Sequence, residues 1–349
     1  MNQGPSGTMR AALARFAVAG REAGIHDVGV RVGGRSVTLR FAGEALVPSV
    51  LRALAHLVEP QTDRAELTVH LWDTASTGAP MIPPPWPLDE LGPTGAIPGA
   101  FAEGLHGFFR MDTGMLTLLD PAAGVGLMWI REARDVDPGD RAGPLRQLLA
   151  AWFSEPGWCM THAGAVGSEG RGVLLGGRGG SGKSTTTLLC LQAGLDFAGD
   201  DYVLVDAGAA ATPQAHSLYA TAKLTDPAAV RLPALERAFE AGRPGDKAMA
   251  FLVEHVPERL CRRLDLTALA LPVVTGRRDT RVVPITAAEA LRGLAPSTVF
   301  QHGGGGKRTL EVLARLTRRL PCHRLELGSD VERIPAHIVA LTRTTTSQP

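Results

Sequence analysis

The chain has 349 residues, 44% hydrophobic and 20% charged, the balance of a globular protein long enough for a sizeable core. Its 36 basic and 35 acidic residues leave a net charge of +1, which excludes the strongly basic surface expected of a partner for nucleic acid or an anionic membrane. Lysine is scarce: Lys183, Lys223, Lys247 and Lys307 are the only ones, and arginine supplies the remaining positive charge. Cys159, Cys190, Cys261 and Cys322 are far apart and form no C-x-x-C pair, so buried free thiols are expected. The opening MNQGPSGTM lacks the basic and apolar regions of a signal peptide, and no run approaches the roughly 18 apolar residues of a membrane span. A cytoplasmic location is expected, without nucleic-acid or membrane partners.

In chain order, residues 1–8 are expected to be a disordered start and 9–140 a mixed α/β accessory domain. Ala11 to Ala23 suits a helix. His26 to Phe41 reads as a hairpin, with Val28, Val30 and Val32 alternating before Gly33-Gly34 and Val37, Leu39 and Phe41 after it. Leu46 to Leu57 suits an amphipathic helix with Pro48 in its first turn. Leu67, Val69 and Leu71 mark a strand. Thr74 to Pro98, which contains Pro83-Pro84-Pro85-Trp86-Pro87, reads as a surface loop rather than a partner-binding polyproline segment. Further strands are expected at Gly107–Met111, Met115–Leu119 and Val125–Ile130. No active-site motif is recognisable in this part.

The second domain is expected over 141–341. Pro144 to Phe153 suits a helix with Leu145, Leu148, Leu149 and Trp152 on one face, and Trp158 to Val166 reads as one strand carrying His162. Then comes the most informative stretch, Gly172 to Asp206. The apolar Val173-Leu174-Leu175 predicts a buried strand, followed by a glycine-rich turn and a helix to Gln192. Between them, Gly177-Arg178-Gly179-Gly180-Ser181-Gly182-Lys183-Ser184 fits G-x-x-x-x-G-K-[ST] at every fixed position. Glycines let successive N–H groups turn inward around phosphate oxygens, and the helix N-terminus, with Thr185 in its first turn, adds partial positive charge. Lys183 would reach the β- and γ-phosphates and the Ser184 hydroxyl would hold Mg²⁺. A nucleoside-triphosphate site is expected, with ATP and Mg²⁺ as ligands. Leu195 to Ala198 is a short strand leading to Asp200-Asp201, where one carboxylate can bind the metal while the other accepts a proton.

The segment from His162 to Asp201 resembles the catalytic core of the HPr kinase/phosphorylase family, whose phosphate loop is shared with ATP-dependent phosphoenolpyruvate carboxykinase. That family carries a histidine in the strand before the loop and a paired aspartate after the next strand, as do His162 and Asp200-Asp201 here. The resemblance implies an α/β P-loop core of the HPr kinase/carboxykinase type. It also implies that Asp200 is the general base, that His162 supports it, and that Asp201 holds Mg²⁺ with Ser184; the two aspartate roles are interchangeable. Arg178 and Gly179 replace the acidic and hydroxyl residues usual in that loop, and no E-x-R-G segment follows the aspartates. The chain looks more like the divergent members of bacterial biosynthetic gene clusters. The activity implied is transfer of the γ-phosphate of ATP to a serine of a peptide or small protein, such as a peptide natural-product precursor. The alternatives are a small-molecule kinase and a non-catalytic ATP-binding regulatory module.

Beyond Asp206 the signal weakens. Lys223 in His216–Leu224 reads as a surface lysine, with phosphate or substrate contact as the alternative. Arg231 to Ala241 suits a helix interrupted by Pro233, and Arg243–Lys247 a turn near the nucleotide. Leu266 to Val274 reads as a strand that Pro272 confines to an edge or splits. Arg277 and Arg278 read as a solvated turn, with phosphoryl stabilisation as the alternative. Thr286 and Glu289 form a capping box for a helix to Leu294. Gln301–Arg308 is read as a linker or a substrate-covering loop, Leu310–Leu320 as a helix, Arg324–Leu327 as a strand and Val331–Leu341 as a last helix. A disordered tail is expected over 342–349.

Overall fold

The structure, a computed structural model, describes residues 5–61, 64–81, 86–92, 94–208, 210–225, 232–233, 235–240, 247–299 and 306–343. The prolines at 83–85, residues 243–246 of the expected turn, 301–305 of the expected linker or covering loop, and the last six residues of the tail lie outside them. The described chain is mixed α/β and divides after Trp152 into two compact units.

The first unit is built on a seven-stranded sheet of β1 (Ile25–Val32), β2 (Arg35–Ala42), β3 (Val58–Glu59), β4 (Leu67–Asp73), β5 (His106–Phe109), β6 (Leu116–Asp120) and β7 (Val125–Ile130). Its order is β3-β1-β2-β4-β7-β6-β5, parallel only at β2–β4 and β4–β7. The hairpin closes as expected, because Gly33 and Gly34 adopt the positive φ of 58° and 83° that a two-residue turn demands. Helix α1 (Pro5–Ala23) packs on β2 and β4, with the Phe16 ring edge-on to Trp72. It begins before Ala11, so Pro5–Thr8 is ordered helix rather than a disordered start; buried Thr8 and Met9 anchor its first turn. Helix α2 (Val47–Leu54) holds Pro48 in its first turn. The expected loop from Thr74 opens with a helical turn, α3 (Thr74–Thr77), because the Asp73 carboxylate accepts from the Ser76 N–H at 2.9 Å. Helices α4 (Pro138–Ala142) and α5 (Arg146–Trp152) complete the unit. Since α5 packs against β5 and β6, the division between units falls after Trp152 and not at 140.

The second unit contains β8 (Trp158–Thr161), β9 (Gly164–Ser168), β10 (Arg171–Leu175), β11 (Asp196–Gly199), β12 (Val203–Asp206), β13 (Gln214–His216), β17 (Arg263–Val274), β18 (Arg281–Pro284) and β19 (Cys322–Leu327) in one mixed sheet. A separate small sheet of β14 (Thr221–Leu224), β15 (Phe239–Glu240) and β16 (Ala248–Phe251) lies beside it. The order β11-β9-β10-β17-β13-β12-β8 has the twelve-residue β17 as its shared strand, with β19 running parallel to its second half. Helices α6 (Lys183–Gln192) and α9 (Ile334–Thr342) share one core with the small sheet, and α7 (Ala287–Val299) and α8 (Gly306–Arg319) share another. Strand β10 serves both: Val173 and Leu175 enter the first core and Leu174 the second, all with no exposure. A continuous apolar run is the signature of a strand covered on both faces.

Two expectations are corrected here, and of the two readings of Pro272 the edge holds. Trp158–Val166 is two strands broken at His162-Ala163. No helix forms among the described residues of 231–241: Leu232, Leu235 and Ala238 bury at a spacing of three, and Glu236–Ala238 makes a 3₁₀ turn before β15. Pro272 does not split β17, because β10 ends opposite Ala270 and only β19 pairs with the strand at Pro272. The capping box forms as read, Glu289 N–H donating to Thr286 Oγ1 at 3.2 Å and Thr286 N–H to Glu289 Oε2 at 2.9 Å. Cys159, Cys190 and Cys322 are buried free thiols and Cys261 is half-buried. Among the described residues no helix is long and apolar enough to cross a membrane.

Candidate functional site

The loop joining β10 to α6 obtains its shape from glycine. Gly177, Gly180 and Gly182 have φ of 131°, 76° and 99°, values that an L side chain rarely adopts. A Cβ on Gly182 would also stand 2.4 Å from Leu327 Cδ1, whereas Gly179 and Gly180 face open space. Arg178 is exposed with these two glycines, while Ser181 and Thr185 are half-buried. The buried Lys183 ammonium folds back over the turn, donating to the carbonyls of Gly177 at 2.6 Å and Arg178 at 3.1 Å. Burial lowers its pKa against the opposing pull of Asp200 and Asp201. The Ser181 hydroxyl at the same turn is buried without a hydrogen-bond partner among the described residues.

The acidic side of the site comes from two chain crossings. Strands β8 and β12 pair antiparallel, as do β9 and β11, at opposite ends of the sheet order. The chain passes from β8 to β9 through His162-Ala163 and from β11 to β12 through Asp200-Asp201-Tyr202. Such short links span about 10 Å at most, so the sheet must curl until its two ends meet there. His162, Asp200 and Asp201 therefore stand at the break itself, released from the strand ladder and available to one another. His162 N–H donates to Thr298 Oγ1 of α7, which pins the first crossing. Asp201 adopts a left-handed φ of 66°, which turns the second.

The two carboxylates have opposite surroundings. Asp201 is held on both sides: His162 Nε2 lies 3.3 Å from Oδ1 and Lys223 Nζ 3.1 Å from Oδ2. Burial works to raise its pKa, but the His162 hydrogen bond and the Lys223 charge outweigh that and hold it below the usual carboxylate range. Asp200 is 1% exposed, and among the described residues neither of its oxygens has a hydrogen-bond partner of good geometry. Burial and then the charge of Asp201 push its pKa up, and the nearby Ser184 hydroxyl and Lys183 only partly counter them. A partnerless buried carboxylate beside a serine hydroxyl is an oxygen donor set that fits a hard divalent cation. The sequence reading joined Ser184 with Asp201 for the metal and left the two aspartate roles interchangeable; here the Ser184 hydroxyl acts on Asp200, while Asp201 faces His162 and Lys223.

Sequence reasoning took Lys223 for a surface lysine, yet it is half-buried against Asp201. Its only sequence signal was the scarcity of lysine. Arg277 pairs with Glu326 at 2.9 Å with its side chain more than half exposed, in keeping with a solvated turn.

No protein-family model and no curated protein matches the chain. Among solved structures, the Hpr(Ser) kinase/phosphatase from Coxiella burnetii is similar at 11% identity, over 53% of this chain and 93% of that one, with a TM-score of 0.27.

Proposed function

We propose that the chain is an ATP- and Mg²⁺-dependent phosphotransferase that moves the γ-phosphate to a hydroxyl, that of a serine in a peptide or small protein. The observation that carries this reading is Asp200, a buried carboxylate whose oxygens have no hydrogen-bond partner of good geometry among the described residues, next to Lys183 and Ser184 of a glycine loop at a helix N-terminus. Keeping a charge in such a place costs stability, and a site that only bound nucleotide would have no need of a base.

In this reading the N–H groups of the Gly177–Gly182 turn and the α6 N-terminus cradle the phosphates. Lys183 exchanges its carbonyl partners for phosphate oxygens. Ser184 and Asp200 are the residues that would hold Mg²⁺, which neutralises charge on the transferring group. Asp200 has a second oxygen to take the proton of the acceptor hydroxyl as the new O–P bond forms, while the bond from the γ-phosphorus to the bridging oxygen breaks and ADP leaves with the electron pair. In the nucleotide-free chain the two Asp201 oxygens face His162 and Lys223, and its part there is to orient them.

The test is incubation with γ-labelled ATP, Mg²⁺ and the peptides encoded beside the gene, with Asp200→Asn in parallel. Label on serine that Asp200→Asn abolishes supports the reading. Tight ATP binding without transfer to any of them, unchanged in the variant, refutes it in favour of a regulatory module.

A further inference from the structure

Three of the four lysines in a chain that otherwise relies on arginine converge on this site. Lys183 belongs to the loop, and Lys223 and Lys247 come from the small sheet. Lys223 lies on β14, where it pairs in register with Met249 of β16, and Lys247 is the residue just before β16. That sheet is fixed to the loop's own helix, since Ala222 and Leu224 of β14 enter the same core as Leu188 and Leu191 of α6. The charge of Lys247 reaches Lys183, and Lys223 contacts Asp201 at 3.1 Å. Arginine is the better residue for a fixed, planar ion pair with a carboxylate, whereas lysine is a compact point charge on a flexible stem, suited to meeting phosphate oxygens from changing directions. Asp201 alone therefore does not explain a lysine at 223.

We propose that Lys223 and Lys247 form the receptor for the terminal phosphate of the bound nucleoside triphosphate, Lys223 leaving Asp201 for a phosphate oxygen when a triphosphate occupies the loop. The inference rests on the nucleotide reading above and deepens it. The loop and Lys183 grip what ATP and ADP share, while the small sheet reads the group in which they differ. The departure of Lys223 also returns Asp201 Oδ2 to the site only when a transferable phosphate is present.

The experiment compares the affinities of ATP and ADP, each with Mg²⁺, for the full chain and for Lys223→Met and Lys247→Met, by calorimetric titration. Each variant is expected to weaken ATP binding about tenfold while leaving ADP within about twofold, the loss of one charge-assisted contact to phosphate. Lys247→Met guards against misfolding, because Lys247 is exposed and its removal leaves the Asp201 pair intact. An ATP-to-ADP ratio unchanged in both variants, with the wild-type chain binding both nucleotides, overturns this inference and leaves the nucleotide reading standing. A wild-type chain that binds neither nucleotide overturns both.

Discussion

In nucleotide-free, metal-free buffer the Asp200→Asn variant is expected to melt higher than the wild-type chain. The replaced carboxylate is 1% exposed, has no hydrogen-bond partner of good geometry among the described residues and stands beside a second carboxylate. An unsatisfied buried polar group costs about 1–3 kcal/mol and a charged one more. Asparagine keeps the shape and the polar cost but removes the charge, so a gain of about 2 kcal/mol is reasonable on these figures. For a unit in the range of about 150–250 residues this raises the melting temperature by about 4–8 °C. The pH dependence has a definite sign. The folded-state pKa of Asp200 lies above its unfolded value, so the penalty is fully present at neutral pH and above. It is relieved as pH falls through the raised value and the folded protein takes up the proton. The advantage of the variant should therefore be largest at pH 7–8 and shrink on acidification. Calorimetric or fluorescence melts of both proteins across this range test it. A variant that melts lower at neutral pH, or a difference that does not change with pH, refutes the claim that Asp200 is an uncompensated buried charge.

Two further outcomes follow from the local geometry. Gly182→Ala places a side chain at φ 99° and 2.4 Å from Leu327 Cδ1, which should cost about 1–2 kcal/mol for the backbone alone and weaken nucleotide binding in titration; wild-type affinity would contradict the strained loop. Thr286→Ala removes the hydroxyl that caps α7 and should lower stability by about 1 kcal/mol in denaturant melts, whereas an unchanged midpoint would mean that the capping box is idle.

What could be read in the sequence was local in origin. The Gly33-Gly34 hairpin, the Thr286–Glu289 cap and the strand–loop–helix around Lys183 each depend on residues within a few positions of one another, so their chemistry is written contiguously. What escaped was non-local. His162 looked like one residue of a continuous strand, because nothing near it announces that the ladder breaks there; the reason is the register of β8 and β12 against β9 and β11, set some forty residues away. Lys223 was passed over for the same reason, since its partner lies on a different sheet. Which of the two adjacent carboxylates is the buried one is set by their surroundings: Asp200 is 1% exposed near Ser184 and Lys183, while Asp201, in a left-handed turn, faces His162 and Lys223. Pro272 was read as an edge or a break, and an edge it is, but only because β10 stops two residues short of it.

The paired crossings at His162-Ala163 and Asp200-Tyr202 have a mechanical consequence. They work as two rivets through one seam: each continues a strand from one end of the curled sheet into a strand at the other, and the contact between His162 Nε2 and Asp201 Oδ1 joins the rivets. The core shared by α6 and α9 takes no residue from the crossings, whereas Ala163 of the first crossing lies in the core of α7 and α8. Parting the seam by an ångström or two would leave α6 packed on α9 and the glycine loop shaped, yet would separate His162 from Asp201. Reactivity in such an arrangement is lost to a small opening well before stability is, so the chemistry reports on the closure of the sheet more sensitively than melting does.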